Sequence, residues 1–176
     1  MAFADPASNI SQLDIKPGTT VVDFGAGTGF YSLAAARAVG SHGKVYAVEV
    51  QKDLLDRLKN TASREGLHTI EVIWGDIEKS GGTRLRNASV DFVIISNVLF
   101  QAEDRSGTIS EAHRILKQGG KALLIEWSDS SSVSGPDPRH VIPENEAKTL
   151  FEQKSFSIGK NISAGEHHYG FIAVKT

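Results

Sequence analysis

DFGAGTGF, residues Asp23 to Phe30, stands directly behind the β-branched run TVVDF (Thr20 to Phe24) and directly ahead of the helical pattern FYSLAAARAV (Phe30 to Val39). A strand that enters a helix through Gly25, Ala26, Gly27 and Gly29 can turn sharply, adopt positive φ at its glycines and bring its backbone against a ligand without Cβ interference. The N–H groups opening the following helix favour a carboxylate or a phosphate. Small Ala34, Ala35 and Ala38 let that helix lie close on a sheet.

The same alternation continues outward. KVYAVEV (Lys44 to Val50), IEVIW (Ile70 to Trp74), VDFVIIS (Val90 to Ser96) and KALLIEW (Lys121 to Trp127) are short and nearly continuous in apolar character. Such runs suit strands buried on both faces of a parallel sheet. Leu54, Leu55, Leu58 and Ala62 recur at helical spacing, as do Ile109, Ala112 and Leu116 before the stop signal Gly119-Gly120. Pro143 suits the first position of a helix with the stripe Ala147, Leu150 and Phe151, and Asp5-Pro6 opens a short helix at about residues 5–15. Five strand-then-helix units predict a doubly wound α/β fold with right-handed crossovers. The last runs, Ser155 to Ile162 and His168 to Lys175, are separated only by a short connection centred on AGE, which predicts an antiparallel hairpin. The expectation is one domain over residues 1–176, with six parallel strands and a reversed seventh.

Two acids complete the glycine corner. Glu49, at the end of the second strand, can accept two hydrogen bonds from a ribose diol. Asp76, just after the third strand, can accept from an exocyclic adenine amine, with Val50 and Ile77 beside the ring. Three features at the carboxyl ends of three successive strands lie on the edge where open α/β sheets bind ligands, and they predict a nucleoside-containing ligand.

Composition narrows the chemistry. Nineteen Lys and Arg against 21 Asp and Glu give a net charge of −2, so no chain-wide basic field holds a polyanion. Nucleic acid is disfavoured unless Lys79, Arg84, Arg86, Arg105 and Arg114 form one patch. No run approaches the roughly 18 apolar residues of a bilayer-spanning helix, and the expected compartment is the cytoplasm. With 176 residues and no cysteine, the chain lacks disulfides, thiolate metal sites and any sulfur nucleophile.

The dinucleotide fingerprint places its third glycine one residue later, where Phe30 stands, and these 176 residues leave no separate substrate domain to be expected within them. Instead Gly25-x-Gly27-x-Gly29 with Asp23 inside the strand resembles motif I of the class I S-adenosylmethionine-dependent methyltransferases. The resemblance runs from Pro17 to about Asp129 through VVDFGAGTGFYS, YAVEV, WGDIE, DFVIISNVL and EAHRILKQGGKALLIEW, where Gln118 replaces a usual proline. Within that family the chain resembles the small group related to quinone-biosynthesis methyltransferases. The resemblance implies S-adenosylmethionine as cofactor. Asp23 and the Gly25 to Gly29 loop would hold its methionine portion, Glu49 its ribose and Asp76 with Ile77 its adenine, while Ser96 and Asn97 would lie near the methionine amine.

Methyl transfer from a sulfonium is an in-line displacement, so positioning in a dry pocket does much of the work. SNVLF (Ser96 to Phe100) is not the Asn/Asp-Pro-Pro-Tyr type of motif associated with amide and adenine methylation, and the absence of cysteine excludes C5-pyrimidine and arsenic chemistry. Ser96, Asn97 and Glu126 are too poor in charge to favour a magnesium site, and no metal is expected. Bases are expected from the last hairpin and from the loop after the fifth strand. His167 and His168 point to opposite faces, so at most one enters the pocket, with His168 ahead; His140 is a third candidate. His42, His68 and His113 read as surface residues. Phe3, Tyr31, Phe100 and Trp127 could line an apolar pocket, and SSSVSGPDPRH (Ser130 to His140) reads as a mobile lid. The predicted activity is methyl transfer to O or C of a small molecule. An RNA or protein methyltransferase and a catalytically silent cofactor-binding module are the alternatives, and the oligomeric state is left open.

Overall fold

The computed structural model describes residues 4–129 and 135–176. Seven strands form one sheet in the order β3-β2-β1-β4-β5-β7-β6: β1 (Thr20–Phe24), β2 (Lys44–Glu49), β3 (Ile70–Trp74), β4 (Val90–Ser96), β5 (Leu116–Trp127), β6 (Phe156–Ile162) and β7 (His168–Lys175). β7 runs antiparallel to both β5 and β6, and the other neighbouring pairs are parallel. The reversed seventh strand is therefore as the hairpin signal predicts.

Alternation along each strand sorts the core into two layers. Val22, Phe24 and Ile95 pack toward α4 (Arg105–Ile115) and α5 (Glu144–Glu152), while Val21 and Ile94 pack toward α1 (Pro6–Ser11) and α2 (Phe30–Val39). α3 (Lys52–Arg64) closes a smaller cluster through Leu58 and Ala62. Register then positions the site. Phe24 pairs with Val48 and with Ile95, so Gly25, Glu49 and Ser96 follow at one level beyond the central strands. No helix among the described residues is long and apolar enough to cross a membrane.

Several boundaries differ from expectation. Four strand-then-helix units occur rather than five, because residues 75–89 join β3 to β4 without a helix. Glu78 to Gly82 carries no apolar stripe to pack, and a buried clamp substitutes for one. Glu111 of α4 accepts from Gly81 N (2.9 Å), Thr83 N (3.2 Å) and Thr83 Oγ1 (2.6 Å), and Arg114 donates to Glu111 and to Leu85 O (2.9 Å). Burial opposes a charge on Glu111, yet the hydrogen bonds from Arg114, Thr83 and Gly81 hold its carboxyl down to about 2.

α4 stops at Ile115, and Leu116, with extended ψ of 139°, opens β5 by pairing with Val90. Pro143 is the N-cap of α5 rather than its first residue; its carbonyl accepts from Ala147 N (3.0 Å). α1 ends at Ser11, well before residue 15, because Asp14 takes a positive φ of 55° that a helix cannot continue through. Val50 falls just past β2. His113, expected at the surface, packs edge-to-face on Phe156 with ring centroids 5.3 Å apart.

Candidate active site

The glycine corner is stitched to the strand beside it. Gly25, Gly27 and Gly29 all take positive φ, of 63°, 55° and 88°. Ala26 N donates to Val48 O (3.0 Å) and Gly27 N to Glu49 Oε2 (3.0 Å). The other carboxylate oxygen of buried Glu49 accepts from Val50 N (2.8 Å) and Gln51 N (3.1 Å). Oε2, with one donor, keeps a lone pair for a further donor, whereas the other oxygen already accepts two. Asp23, one residue before the end of β1, is buried and accepts from Ser32 Oγ (2.6 Å). Burial pushes its carboxyl up to about 7, against the lowering effect of that hydrogen bond.

Two cavities meet at Gly25. The larger, about 470 Å³, is lined by Asp23, the Gly25 to Thr28 turn, Phe30, Tyr31, Ser96, Asn97, Trp127 and His168, with Ala4 and Pro6 at its rim. The smaller, about 250 Å³, has Glu49, Val50, Asp76, Ile77 and Val98 on its wall. Asp76 Oδ1 accepts from Glu78 N (2.9 Å), Ile77 is buried and Val50 is exposed. Of the cofactor residues read from the sequence, all but Gly29 line one or both of these cavities; Gly29 is the left-handed N-cap of α2 and packs toward Leu58 instead.

The turn after β4 sits between the cavities. Asn97 takes φ of 53°, donates its N–H to Ile125 O (2.9 Å), and leaves Oδ1 buried without a partner. Across the larger cavity, the His168 ring lies on Trp127 with centroids 4.3 Å apart. His168 Nδ1 is 3.0 Å from Glu166 O, an arrangement that assigns the proton to Nδ1. Nε2, buried and unpartnered, is then an acceptor on a residue of the cavity wall.

The three candidate bases therefore separate. His167 takes φ of 63° and directs Nδ1 to the Asp129 carboxylate, 3.1 Å from each oxygen. His140 ends an exposed 3-10 turn and lines neither cavity. Of the expected aromatic wall, Tyr31 and Trp127 are present and Phe100 is not; Phe3 lies outside the described residues, as do Ser130 to Ser134 of the expected lid. The basic residues do not converge either. Arg114 pairs with Glu111, Arg105 donates to Leu99 O (3.0 Å), and Arg84 and Arg86 line a separate cavity of about 590 Å³ beside Trp74.

Sequence reasoning passed over Phe30, Val98, Gln101 and Ala102 on these walls, although the last three follow Asn97 closely in the chain. It also passed over buried Asn9, which donates to the Tyr31 hydroxyl (2.9 Å) and to Ala164 O (3.3 Å), tying α1 to α2 and to the last hairpin. A lone asparagine in a six-residue helix carries no sequence signal of that role.

Comparison with known proteins gives a consistent result. Residues 15–160 match a family model described as a methyltransferase domain. A demethylmenaquinone methyltransferase from Bacillus mycoides is 29% identical over 121 residues, 69% of this chain and 50% of that one. An arsenite methyltransferase from Halobacterium salinarum is 28% identical over 131 residues, 74% of this chain and 32% of that one. The chain thus spans half or less of the length of these two relatives. A crystal structure of a SAM dependent methyltransferase from Aquifex aeolicus superposes with a TM-score of 0.89 at 26% identity, covering 99% of this chain and 91% of that one.

Proposed function

Because this chain belongs to the methyltransferase-domain family, we propose that it transfers a methyl group from S-adenosylmethionine to an oxygen or carbon of a small molecule. The observation that carries the reading is the junction at Gly25, with Glu49 and Asp76 on one side and Asp23, Asn97 and His168 on the other. The residues suit the group. A Cβ at Gly27 would meet only Gly25 O at 4.0 Å, so the turn stays open to a ligand, and Asn97 Oδ1 lacks the donor that an ammonium would supply.

Glu49 would accept from the ribose diol and Asp76 from the adenine amine, with Val50 and Ile77 flanking the ring. Asp23 and Asn97 would hold the methionine ammonium, and the N-terminus of α2 its carboxylate. When bound, S-adenosylmethionine supplies a methyl group on a positive sulfonium.

The rest of the larger cavity suits the acceptor. Phe30, Tyr31 and Trp127 give it apolar walls against which a small acceptor would be held in line with the methyl group. His168, held by Trp127 and by Glu166 O, would take the proton that a hydroxyl or carbon acid must shed, at Nε2.

Calorimetry with S-adenosylmethionine and with S-adenosylhomocysteine tests the cofactor reading; absence of binding to both would reject it. Incubation with methyl-labelled donor and a fractionated lysate tests the acceptor class. Label is expected in a low-molecular-mass fraction, and label confined to RNA or protein would overturn the small-molecule assignment.

A further inference from the structure

Glu126 lines neither cavity, yet it holds the turn that separates them. Residues of β5 and β7 alternate in step: Trp127 pairs with His168, and Glu126 pairs with Tyr169. Trp127 and His168 face the larger cavity, so Glu126 and Tyr169 face the opposite side of the sheet, where Tyr169 joins the core beneath α4 and α5. There Glu126, about 1% exposed, accepts on Oε1 from two successive backbone donors, Val98 N (2.9 Å) and Leu99 N (2.6 Å). Oε2 has no partner, and neither has the Tyr169 hydroxyl. Among the described residues no cation forms an ion pair with this carboxyl, and burial pushes it up to about 7.

Those two N–H groups follow Asn97, whose positive φ turns the chain so that both point the same way. An Asn in that conformation persists only where its surroundings determine it. The consecutive residues then serve different walls. Asn97 lines the larger cavity, and Val98 lines the smaller one and abuts the Gly25 backbone. A buried carboxyl retained for packing alone would be replaceable by an apolar residue of similar volume. One that spans two amides of a strained turn is replaceable only by another acceptor.

We infer that Glu126 is a positioning residue, which holds the 97–99 turn from behind the sheet so that Asn97 and Val98 meet the cofactor together. The inference rests on the proposed S-adenosylmethionine site.

Affinity for S-adenosylmethionine is measured by calorimetry in the wild type, Glu126→Gln, Glu126→Leu, Asn97→Ala and the Glu126→Leu/Asn97→Ala double variant, with thermal unfolding as a fold control. Glutamine retains an acceptor oxygen and should bind within about twofold of the wild type, whereas leucine and Asn97→Ala should each bind roughly tenfold more weakly. Because Glu126 acts through the turn, the double variant should bind no more weakly than the weaker single variant. Wild-type affinity in Glu126→Leu, or losses that multiply in the double variant, would overturn the inference. Should leucine prevent folding, Glu126→Asp retracts the acceptor by one methylene and should weaken binding severalfold; unchanged affinity overturns the inference equally. If the wild type binds neither S-adenosylmethionine nor S-adenosylhomocysteine, the cofactor reading fails, and the Asn97 side-chain amide resonance decides the positioning role. A shift in Glu126→Leu but not in Glu126→Gln sustains it, and no shift in either overturns it.

Discussion

A Cβ placed on Gly25 would lie 2.8 Å from Cγ2 of Val98, so the first glycine of the corner and the turn after β4 are packed too closely for any side chain between them. The three glycines are therefore not equivalent. Gly25→Ala forces Val98 aside at the junction of the two cavities, and is expected to weaken S-adenosylmethionine binding at least about tenfold, a loss typical of buried ligand contacts. Gly29→Ala acts on the fold: its Cβ would overlap Leu58 at φ of 88°, and overpacking with strain should cost about 2–4 kcal/mol of stability. Gly27→Ala meets no close neighbour and should cost about 1 kcal/mol through its positive φ alone. Urea unfolding and calorimetry on the three variants read the order, and a Gly29→Ala protein as stable as Gly27→Ala contradicts it.

Asp23 should make stability fall as the solution becomes more alkaline. Its carboxyl titrates near 3.8 when unfolded and about 7 when folded, so between those values the folded chain holds a proton that the unfolded chain has lost. Stability is then greatest below the unfolded value and declines as pH rises toward the folded one, by at most on the order of 4 kcal/mol. Asp23→Asn should flatten this part of the profile of unfolding midpoint against pH. A cation bound beside Asp23 lowers its pKa again, so cofactor binding near neutrality should release a proton. Calorimetric heats that do not depend on the ionisation enthalpy of the buffer would contradict that release.

Much of this arrangement is legible in the residue pattern, because two periodicities carry it. Nearly continuous apolar runs mark the parallel strands, and DFGAGTGF, Glu49 and Asp76 fall at strand ends where register alone aligns them. The hairpin is equally legible, since the five residues from Ser163 to His167 leave no room for a helix. What escaped is tertiary. Glu126 lies in an apolar strand run and Glu111 in the EAHRILKQGG stretch, but neither stretch reveals the partners of these acids, which are N–H groups supplied from residues about 30 positions away. A count of five strand-then-helix units requires a helix between β3 and β4, but residues 75–89 offer no apolar stripe for one, and Gly81 and Gly82 argue against it. His167 and His168 were separable only in part: alternation puts one of them in the cavity, but the positive φ at His167 and its Asp129 partner appear only in the folded chain.

Glu111 gives a prediction of the opposite sign to Asp23. Its carboxyl is held at about 2 by Arg114 and Thr83, below the ordinary 4.5, so its contribution is present above pH 4.5 and is lost as pH falls through the folded value. Glu111→Ala leaves Arg114 and two backbone N–H groups without their acceptor, and should cost about 3 kcal/mol, as removing one partner of a buried pair does. Because the clamp holds the loop that carries Asp76, cofactor affinity should fall with stability. Urea unfolding near neutrality measures the first effect, and a change smaller than that of an exposed pair such as Lys16–Asp14 would contradict it.

Glu49 and His168 should separate binding from chemistry. Glu49→Ala removes both the ribose acceptor and the anchor of Gly27 N, and is expected to weaken S-adenosylmethionine binding by about 1–3 kcal/mol, the value of hydrogen bonds to a charged group. His168 lies on the cavity wall beyond the glycine corner, with Nε2 free to accept a proton. His168→Ala should therefore leave cofactor affinity nearly unchanged while turnover falls by roughly a hundredfold, the usual scale for a lost general base. Glutamine at the same position keeps much of the volume but offers no basic nitrogen. It should restore the packing on Trp127 without restoring turnover. Activity recovered by Gln would mean that His168 works by shape alone, as the lower half of a stack with Trp127, and the proton would then need another acceptor in the same cavity.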